Sequence, residues 1–242
     1  MSIRGVKHPA AFLDYLAGTK FSGMDRMDFD FAPPADRIKV IEDLVRGKSC
    51  LHIGCCDHIP AIREKIQTGE WLHGRLTKAA SYCLGVDINA ESVAIAKKES
   101  GLDNMIIADI TNPTPVVEIA DRHWDYVVFA EVLEHIGNPV AFVRTFLETY
   151  RGKVDYCVFT VPNGFNAGNI RGAFSGSETN NTDHRFWFTP FTISKVAYDA
   201  GLDPLSIEPA CIIKPNPIKR AILALFPMLA STLIFVGATK QP

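Results

Sequence analysis

Acidic and imidazole side chains are concentrated in a short segment near the middle of the chain, Glu131-Val132-Leu133-Glu134-His135. In a helical turn, residues three and four positions apart share one face, so Glu131, Glu134 and His135 are expected to converge. A second imidazole, His184, follows a long polar segment. An imidazole titrates near neutral pH, so His135 or His184 suits the role of a general base toward a hydroxyl group.

Further polar residues stand directly after runs that are typical of buried strands. In an open α/β sheet, ligands bind beyond the carboxyl ends of the strands. A glycine such as Gly54 allows close backbone approach, and a carboxylate such as Asp87 can accept two hydroxyl hydrogen bonds at once, as a ribose diol requires. The strand-end residues are, in chain order, Gly54-Cys55-Cys56-Asp57-His58, Asp87-Ile88-Asn89, Asp109-Ile110 and Ala130-Glu131.

The elements that must position these residues alternate between strand-length apolar runs and helical segments. This alternation predicts an α/β fold of the Rossmann-like, doubly wound kind, with a mostly parallel seven-stranded sheet and helices on both faces. We expect one domain over 1–242. Its N-terminal segment 1–48 is expected to be helical, with a helix opened by Pro33 and Pro34, and to cover the ligand site. Segment 164–183 has no apolar periodicity and is expected to be a loop on the acceptor side of the site. The apolar C-terminal segment 212–242 would supply the last strands.

Composition narrows the class of partner. The formal net charge is -2 and the isoelectric point is about 6.4, and no run of Lys and Arg is present, so a nucleic-acid acceptor is not expected. The six cysteines form no CxxC motif and are predicted to be buried free thiols, and residues 1–10 do not read as a secretory signal. A cytoplasmic protein is therefore predicted.

One segment leaves membrane association open, because residues 221–239 contain no charged side chain. Pro227 and Gly237 interrupt it, and 233–237 (LIFVG) is typical of a buried strand. The prediction is a short apolar helix, a turn and a core strand rather than a membrane span. Peripheral contact with a membrane through Ile222 to Leu229 remains an alternative.

The strand-end series from about Ser49 to Gly201 resembles the class I S-adenosylmethionine-dependent methyltransferases. The resemblance implies S-adenosylmethionine as cofactor. The turn around Gly54 would approach its methionine part, Asp87 would hold the ribose hydroxyls, and Asp109 and Ile110 would contact the adenine. His52 stands where the family usually has an acid, and Cys56 and His58 stand where glycine is common. The implied cofactor-binding residues are His52, Gly54, Cys55, Cys56, Asp87, Ile88, Asp109, Ile110, Ala130 and Glu131.

The run FAEVLEH, with Pro162-Asn163, resembles the ubiquinone-pathway type of small-molecule O-methyltransferase. It implies catalytic roles for Glu131, His135 and His184. The E-x-x-E-H turn with a distant histidine also resembles the small-RNA 2′-O-methyltransferases. That second resemblance implies a divalent metal, a cofactor we do not expect to be needed, on Glu131, Glu134, His135 and His184.

The predicted acceptor is a hydroxyl of a sugar or glycan, or else a quinone-like or phenolic small molecule. Two alternatives stay open, a non-catalytic S-adenosylmethionine-binding or scaffold protein of the same fold and a metal-assisted 2′-O-methyltransferase. A nicotinamide dehydrogenase is disfavoured, because the first turn has no G-x-G-x-x-G. The sequence leaves the oligomeric state open.

Overall fold

A computed structural model of the chain describes residues 2–212 and 215–240, so Met1, Ile213, Lys214, Gln241 and Pro242 of the predicted domain lie outside the described residues. The strands are β1 (Ala35–Asp36), β2 (Ser49–Ile53), β3 (Tyr82–Asp87), β4 (Met105–Ile107), β5 (Trp124–Ala130), β6 (Val154–Pro162), β7 (Leu202–Cys211) and β8 (Thr232–Thr239). The helices are α1 (Pro9–Ala17), α2 (Arg37–Val45), α3 (Ile59–Thr68), α4 (Leu72–Ala79), α5 (Ala90–Ser100), α6 (Val117–Ala120), α7 (Pro139–Thr149), α8 (Ala167–Ser175), α9 (Pro190–Ala200) and α10 (Pro217–Leu225).

All eight strands belong to one sheet, in the order β1-β7-β8-β6-β5-β2-β3-β4. Only β8 runs antiparallel to its neighbours in this sheet, β6 and β7. The chain moves outward from β2 to β3 and β4, then returns to place β5 on the other side of β2. The strand order therefore reverses between β2 and β5, and the crevice at their carboxyl ends is where such a sheet binds ligands.

The predicted α/β, Rossmann-like class is confirmed, and the sheet has eight strands rather than seven. The additional strand is β1, which is only two residues long and pairs with the edge of β7. It is too short to produce an alternating pattern in the sequence. Helix α2 begins at Arg37 rather than at the prolines, because the Asp36 side chain accepts a hydrogen bond from the backbone N–H of Lys39 and caps the helix.

The polar segment 164–183 is not wholly a loop. It contains α8, which Asn166 caps by accepting a hydrogen bond from the N–H of Asn169. None of the α8 residues is buried, so the sequence carries no apolar periodicity to reveal the helix. The predicted helical region 59–80 is two helices, separated where Gly69 ends α3 in the left-handed conformation.

A row of aromatic rings ties the two halves of the sheet together. Phe129 of β5 pairs in register with Phe159 of β6, which pairs with Phe235 of β8. All three are fully buried, with ring centroids 5.3 Å apart in the first pair and 5.7 Å in the second. The C-terminal segment thus folds as predicted, into a short helix, a turn and a core strand.

No helix within the described ranges is long and apolar enough to cross a bilayer.

Candidate active site

A cavity of about 760 Å³ opens at the carboxyl ends of β2 and β5, at the reversal of strand order. Most of the residues predicted from the strand ends line it, together with both candidate catalytic histidines. Those lining residues are His52, Gly54, Cys55, Cys56, Asp87, Ile88, Ala130, Glu131, Glu134, His135 and His184. Residues far apart in sequence are therefore brought to one site by the parallel strands.

The turn after β2 requires a glycine. Gly54 has φ = +67°, and a Cβ there would lie 2.6 Å from Cγ2 of Val132, in the segment after β5. The backbone N–H groups of Gly54 and Cys55 both donate to the carbonyl oxygen of Val86 on β3. The indole N–H of Trp71 donates to the Cys55 carbonyl oxygen at 3.0 Å. The turn is thus contacted by β3, by Trp71 and by the segment after β5. Because Gly54 has no side chain, its backbone is accessible from the cavity.

Asp87 ends β3 with its carboxylate between two loops. One carboxylate oxygen accepts a hydrogen bond from the N–H of Cys56 at 3.0 Å, and the other accepts from the N–H of Asn89 at 2.9 Å. These bonds fix the orientation of the carboxylate. Each oxygen has a second lone pair, so the group can still accept two hydroxyl hydrogen bonds from a ligand.

The structure does not place Asp109 and Ile110 on the cavity. The Asp109 carboxylate accepts hydrogen bonds from the hydroxyl and the backbone N–H of Thr111, and these bonds lower its pKa. Ile110 is buried in the main hydrophobic core. Both follow β4, one strand beyond Asp87, and the cavity lining ends before that strand.

The predicted cover also lies elsewhere. Phe29 and Phe31 stack at 5.1 Å, and Phe12 of α1 packs edge-on against Phe29. This aromatic group packs on the β7 side of the sheet, where a Cβ on Gly5 would lie 3.1 Å from a ring carbon of Phe31 and would clash with the carbonyl oxygen of Ile207. Within segment 1–48, Arg37 is the residue that lines the cavity.

Glu131 has an unusual backbone and a firmly held side chain. Its φ of 55° lies in the left-handed region, which a non-glycine residue adopts at a cost and which recurs at functional sites. Its Oε1 accepts hydrogen bonds from the hydroxyls of Thr160 and Thr232 at 2.9 and 3.0 Å. Nη1 of Arg37 lies 3.5 Å from the same oxygen. One oxygen is thus committed to the protein, which leaves Oε2 for a ligand.

The E-x-x-E-H segment forms a short 3-10 turn, Leu133–His135. Arg185 joins the distant histidine to it, because its backbone N–H donates to the Glu134 carbonyl oxygen at 2.8 Å and its guanidinium donates to the His135 carbonyl oxygen. The imidazole rings of His135 and His184 then meet edge to face, 4.7 Å between centroids. This pairing is set by long-range contacts rather than by helical spacing.

Glu134, His135 and His184 each offer one ligand atom, and the three atoms lie within 4.8 Å of one another. The structure thus brings together three of the four residues of the implied metal set, with Glu131 outside this group. Nε2 of His184 lies 4.0 Å from Oε1 of Glu134.

Glu134 is fully buried, and neither carboxylate oxygen has a hydrogen-bond partner among the described residues. Burial, followed by the negative charge of Glu131, raises the pKa of Glu134 to about 9. Burial also lowers the pKa of His135, and the neighbouring His184 lowers it further. Burial likewise lowers the pKa of His184. At neutral pH both imidazoles are therefore neutral and able to accept a proton.

Two further lining residues are buried polar groups, and only His52 was among the predicted site residues. His52 is fully buried and stacks on His73 at 5.6 Å, and burial holds its pKa well below the ordinary value, so the ring is neutral. Neither ring nitrogen has a partner among the described residues. Arg37 was missed: its guanidinium is almost fully buried, lines the cavity and leaves Nε without a described partner. An arginine at the start of an ordinary amphipathic helix gives no sequence signal of such a role.

Comparison with known proteins gives a match to one family. The model of a methyltransferase domain family matches residues 29–207. No curated protein matches the chain significantly in sequence.

Solved structures share the fold at low identity. An S-adenosylmethionine-dependent methyltransferase from Archaeoglobus fulgidus is 18% identical, with a TM-score of 0.55 over 84% of this chain and 91% of that one. Magnesium protoporphyrin IX methyltransferase from Synechocystis, solved with bound S-adenosylhomocysteine, is 12% identical, with a TM-score of 0.52 over 96% and 84%. The small RNA methyltransferase HEN1 is 18% identical, with a TM-score of 0.55 over 92% of this chain and 28% of that one.

The family match covers most of the chain, and the fold is that of the S-adenosylmethionine-dependent enzymes. The chain therefore belongs to the methyltransferase domain family, as an S-adenosylmethionine-dependent methyltransferase of the class predicted from its sequence.

Proposed function

We propose that the protein transfers the methyl group of S-adenosylmethionine to a hydroxyl of a sugar, a glycan or another small molecule. One observation carries the proposal: a single cavity joins the Gly54 turn and Asp87 at one end to the neutral imidazoles of His135 and His184 at the other. The first end fits a nucleoside with an amino-acid tail, and the second fits an acceptor that must lose a proton. The two reacting groups would meet between them.

The residues at the first end fit the methyl donor. Asp87 would accept hydrogen bonds from both ribose hydroxyls, with Ile88 beside it, and the Gly54–Cys56 backbone would contact the methionine part. The Arg37 guanidinium and the His52 ring would bind the donor's carboxylate, whereas the family usually has an acid at the His52 position. The contact is supported by the Arg37 Nε, which has no hydrogen-bond partner within residues 2–212 and 215–240. Asp109 and Ile110 stay proposed adenine contacts, which would require the adenine to extend past the cavity toward β4.

His135 is the proposed general base. Burial and the neighbouring His184 lower its pKa, so the ring is neutral at neutral pH. Its unprotonated nitrogen would take the hydroxyl proton of the acceptor as the oxygen attacks the methyl carbon. His184 would orient the acceptor. Glu131 would fix the position of Arg37 and of the two threonines that donate hydrogen bonds to it. The bound donor supplies an activated methyl group, so alignment and proton removal are what the protein must add.

A titration and an acceptor screen test the proposal. S-adenosylhomocysteine is titrated into the purified protein by calorimetry. Methyl transfer to sugars, glycosides, phenols and amines is measured as release of S-adenosylhomocysteine. We expect micromolar binding and turnover with a hydroxyl acceptor. Binding without turnover on any acceptor would favour the non-catalytic alternative. Turnover confined to amines would contradict O-methylation.

A second candidate, metal-assisted transfer, is favoured by a specific observation: Glu134 is a fully buried carboxylate next to two imidazoles, and it has no hydrogen-bond partner among the described residues. Carboxylate and imidazole ligands suit Mg, Mn, Fe or Zn. Glu134, His135 and His184 would hold the ion, which would lower the pKa of a bound hydroxyl. His135 could not then serve as the base.

Metal titration separates the two candidates. The protein is treated with a chelator and its melting temperature is measured with added Mg²⁺, Mn²⁺ or Zn²⁺, for the wild type and Glu134→Gln. Stabilisation of the wild type alone, with turnover lost on chelation, would support the metal. Unchanged melting and turnover would support His135 as the base.

A further inference from the structure

Helix α10 presents an apolar face with no partner in the described structure. Ile218, Ile222 and Leu225 are exposed, the first and last by 75% and 77%. At about 3.6 residues per turn they fall within roughly 60° of one another on the helix surface. Leu223 lies on the far side and is the buried residue of α10, packed near Cys211 and Ala230. The helix is thus attached by one face and exposes apolar residues on the other.

The same edge of the sheet carries more exposed apolar surface. Asn163, at the end of β6, donates two hydrogen bonds from its side chain to the Met228 and Ala230 carbonyl oxygens, which follow α10. Helix α8 begins a few residues after Asn163 and exposes Ile170 and, by 90%, Phe174. Two helices with exposed apolar residues therefore start from the edge that holds the cavity.

The charged residues of α8 and α10 are all basic. Glu208 is the last acidic residue of the sequence, and three basic residues follow it before β8, Lys214, Lys219 and Arg220. Helix α8 contains Arg171 and no acid. Lys219 and Arg220 are exposed, about 90° and about 170° around the helix from the centre of the apolar face. Neither forms an ion pair with the residues the structure describes. The chain as a whole is slightly negative, so this local positive charge is distinctive.

We propose that α10 docks on an anionic lipid bilayer, with Ile218, Ile222 and Leu225 in the interface and with Lys219 and Arg220 on the polar side of the helix, attracted by the headgroup charge. An amphipathic helix with apolar residues on one face and cations on its polar face binds such surfaces by both contributions. A protein partner would not require the uniform basic charge. Ile212 directly follows β7 on the way to α10, and it lines the cavity. Docking of α10 would therefore place the cavity mouth beside the membrane. The proposal goes beyond the proposed function, because lipid binding needs neither donor nor turnover.

Vesicle co-sedimentation tests it. The full chain is mixed with phosphatidylcholine vesicles, with and without phosphatidylglycerol, and the bound fraction is measured at low and high salt. We expect anionic vesicles to bind at least about tenfold more tightly than neutral ones, with loss at high salt. The variant Lys219→Gln/Arg220→Gln should lose about tenfold or more on anionic vesicles. The variant Ile218→Ser/Ile222→Ser/Leu225→Ser should lose about a hundredfold.

Matched controls lie at the opposite edge of the sheet. Val117→Ser removes a similarly exposed apolar side chain, and Arg151→Gln/Lys153→Gln removes two exposed cations before β6. Both should bind vesicles as the wild type does, and all variants should bind S-adenosylhomocysteine equally if folded. Equal loss in the controls, equal binding to neutral vesicles, or no binding at all would overturn the proposal. So would a wild-type dimer that the triple variant converts to monomer without any vesicle binding, since the face would then join two copies.

Discussion

The two ends of the cavity are built differently. At the Asp87 end, each polar group follows directly from a strand and is fixed by backbone N–H groups a few residues away or one strand across. At the His135 end, the groups come from the segment after β5, from the segment before α9 and from β8, joined by Arg185 and Thr232. Among the described residues, the Asp87 carboxylate has a hydrogen-bond donor on each oxygen, whereas the buried Glu134 carboxylate at the second end has none. We therefore expect the Asp87 end to hold the methyl donor and the His135 end to determine the acceptor.

The largest effect should come from the histidines. His135→Gln is expected to lower kcat by a hundredfold to ten-thousandfold, because general base catalysis contributes roughly that much. Binding of S-adenosylhomocysteine should stay near the wild-type value, since the first end is untouched. His184→Gln should have a smaller effect on kcat and raise KM. If both variants lose donor affinity instead of turnover, the two ends are not separate.

Replacing Asp87 should weaken binding of the donor rather than slow methyl transfer. Asp87→Ala is expected to weaken S-adenosylhomocysteine binding about a hundredfold, because two charge-assisted hydrogen bonds are lost. Calorimetry measures this, with Asp87→Asn as an intermediate that keeps one acceptor oxygen. Asp109→Ala serves as the comparison at the next strand. An equal loss there would show that the adenine does extend to β4, and no loss would end that assignment.

Glu134 should set the stability of the second end. The unfolded carboxyl loses its proton near the ordinary pKa of 4.5, and the folded one near 9, so unfolding releases a proton between these values. The free energy of unfolding therefore falls as pH rises through this window. In chelator, Glu134→Gln should unfold at higher denaturant than the wild type at pH 8, by on the order of 1–3 kcal/mol, and less so at pH 5.

The exposed Glu148→Gln on α7 is the matched control for that measurement, because it removes a carboxyl without burial. It should leave the pH dependence unchanged. A Glu134→Gln variant that is less stable than the wild type at pH 8 would mean that the buried carboxylate is ionised and has a partner.

The pH profile of turnover should show the smallest effect. The pKa of His135 is lowered from 6.5 by burial and by His184, so protonation removes the base only at lower pH. We expect kcat/KM to fall about tenfold per pH unit on an acid limb below pH 6.5. In His184→Gln the limb should move to higher pH, because a group that lowers the pKa is gone. A limb that stays in place would assign the titration to another group.

Much of the fold was predictable because apolar periodicity reports burial. The strands around Gly54, Asp87 and Glu131 and the helix-turn-strand form of the C-terminal segment follow from local patterns. Helix α8 and strand β1 did not, since neither buries a periodic face. The register of Phe129, Phe159 and Phe235 also lay beyond the sequence, because strand order is a property of the sheet.

The sequence by itself determined the class of the protein and the strand ends at which its ligands are expected to bind, because those features depend on residue type and on spacing along the chain. Only the tertiary structure decided which of these residues meet. It placed Arg37 in the cavity, left Asp109 and Ile110 outside it, and brought His184 to His135 through Arg185. It also showed Glu134 to be buried without a partner among the described residues. Burial and long-range contacts depend on how distant segments pack, and that packing cannot be predicted from the local spacing of residues.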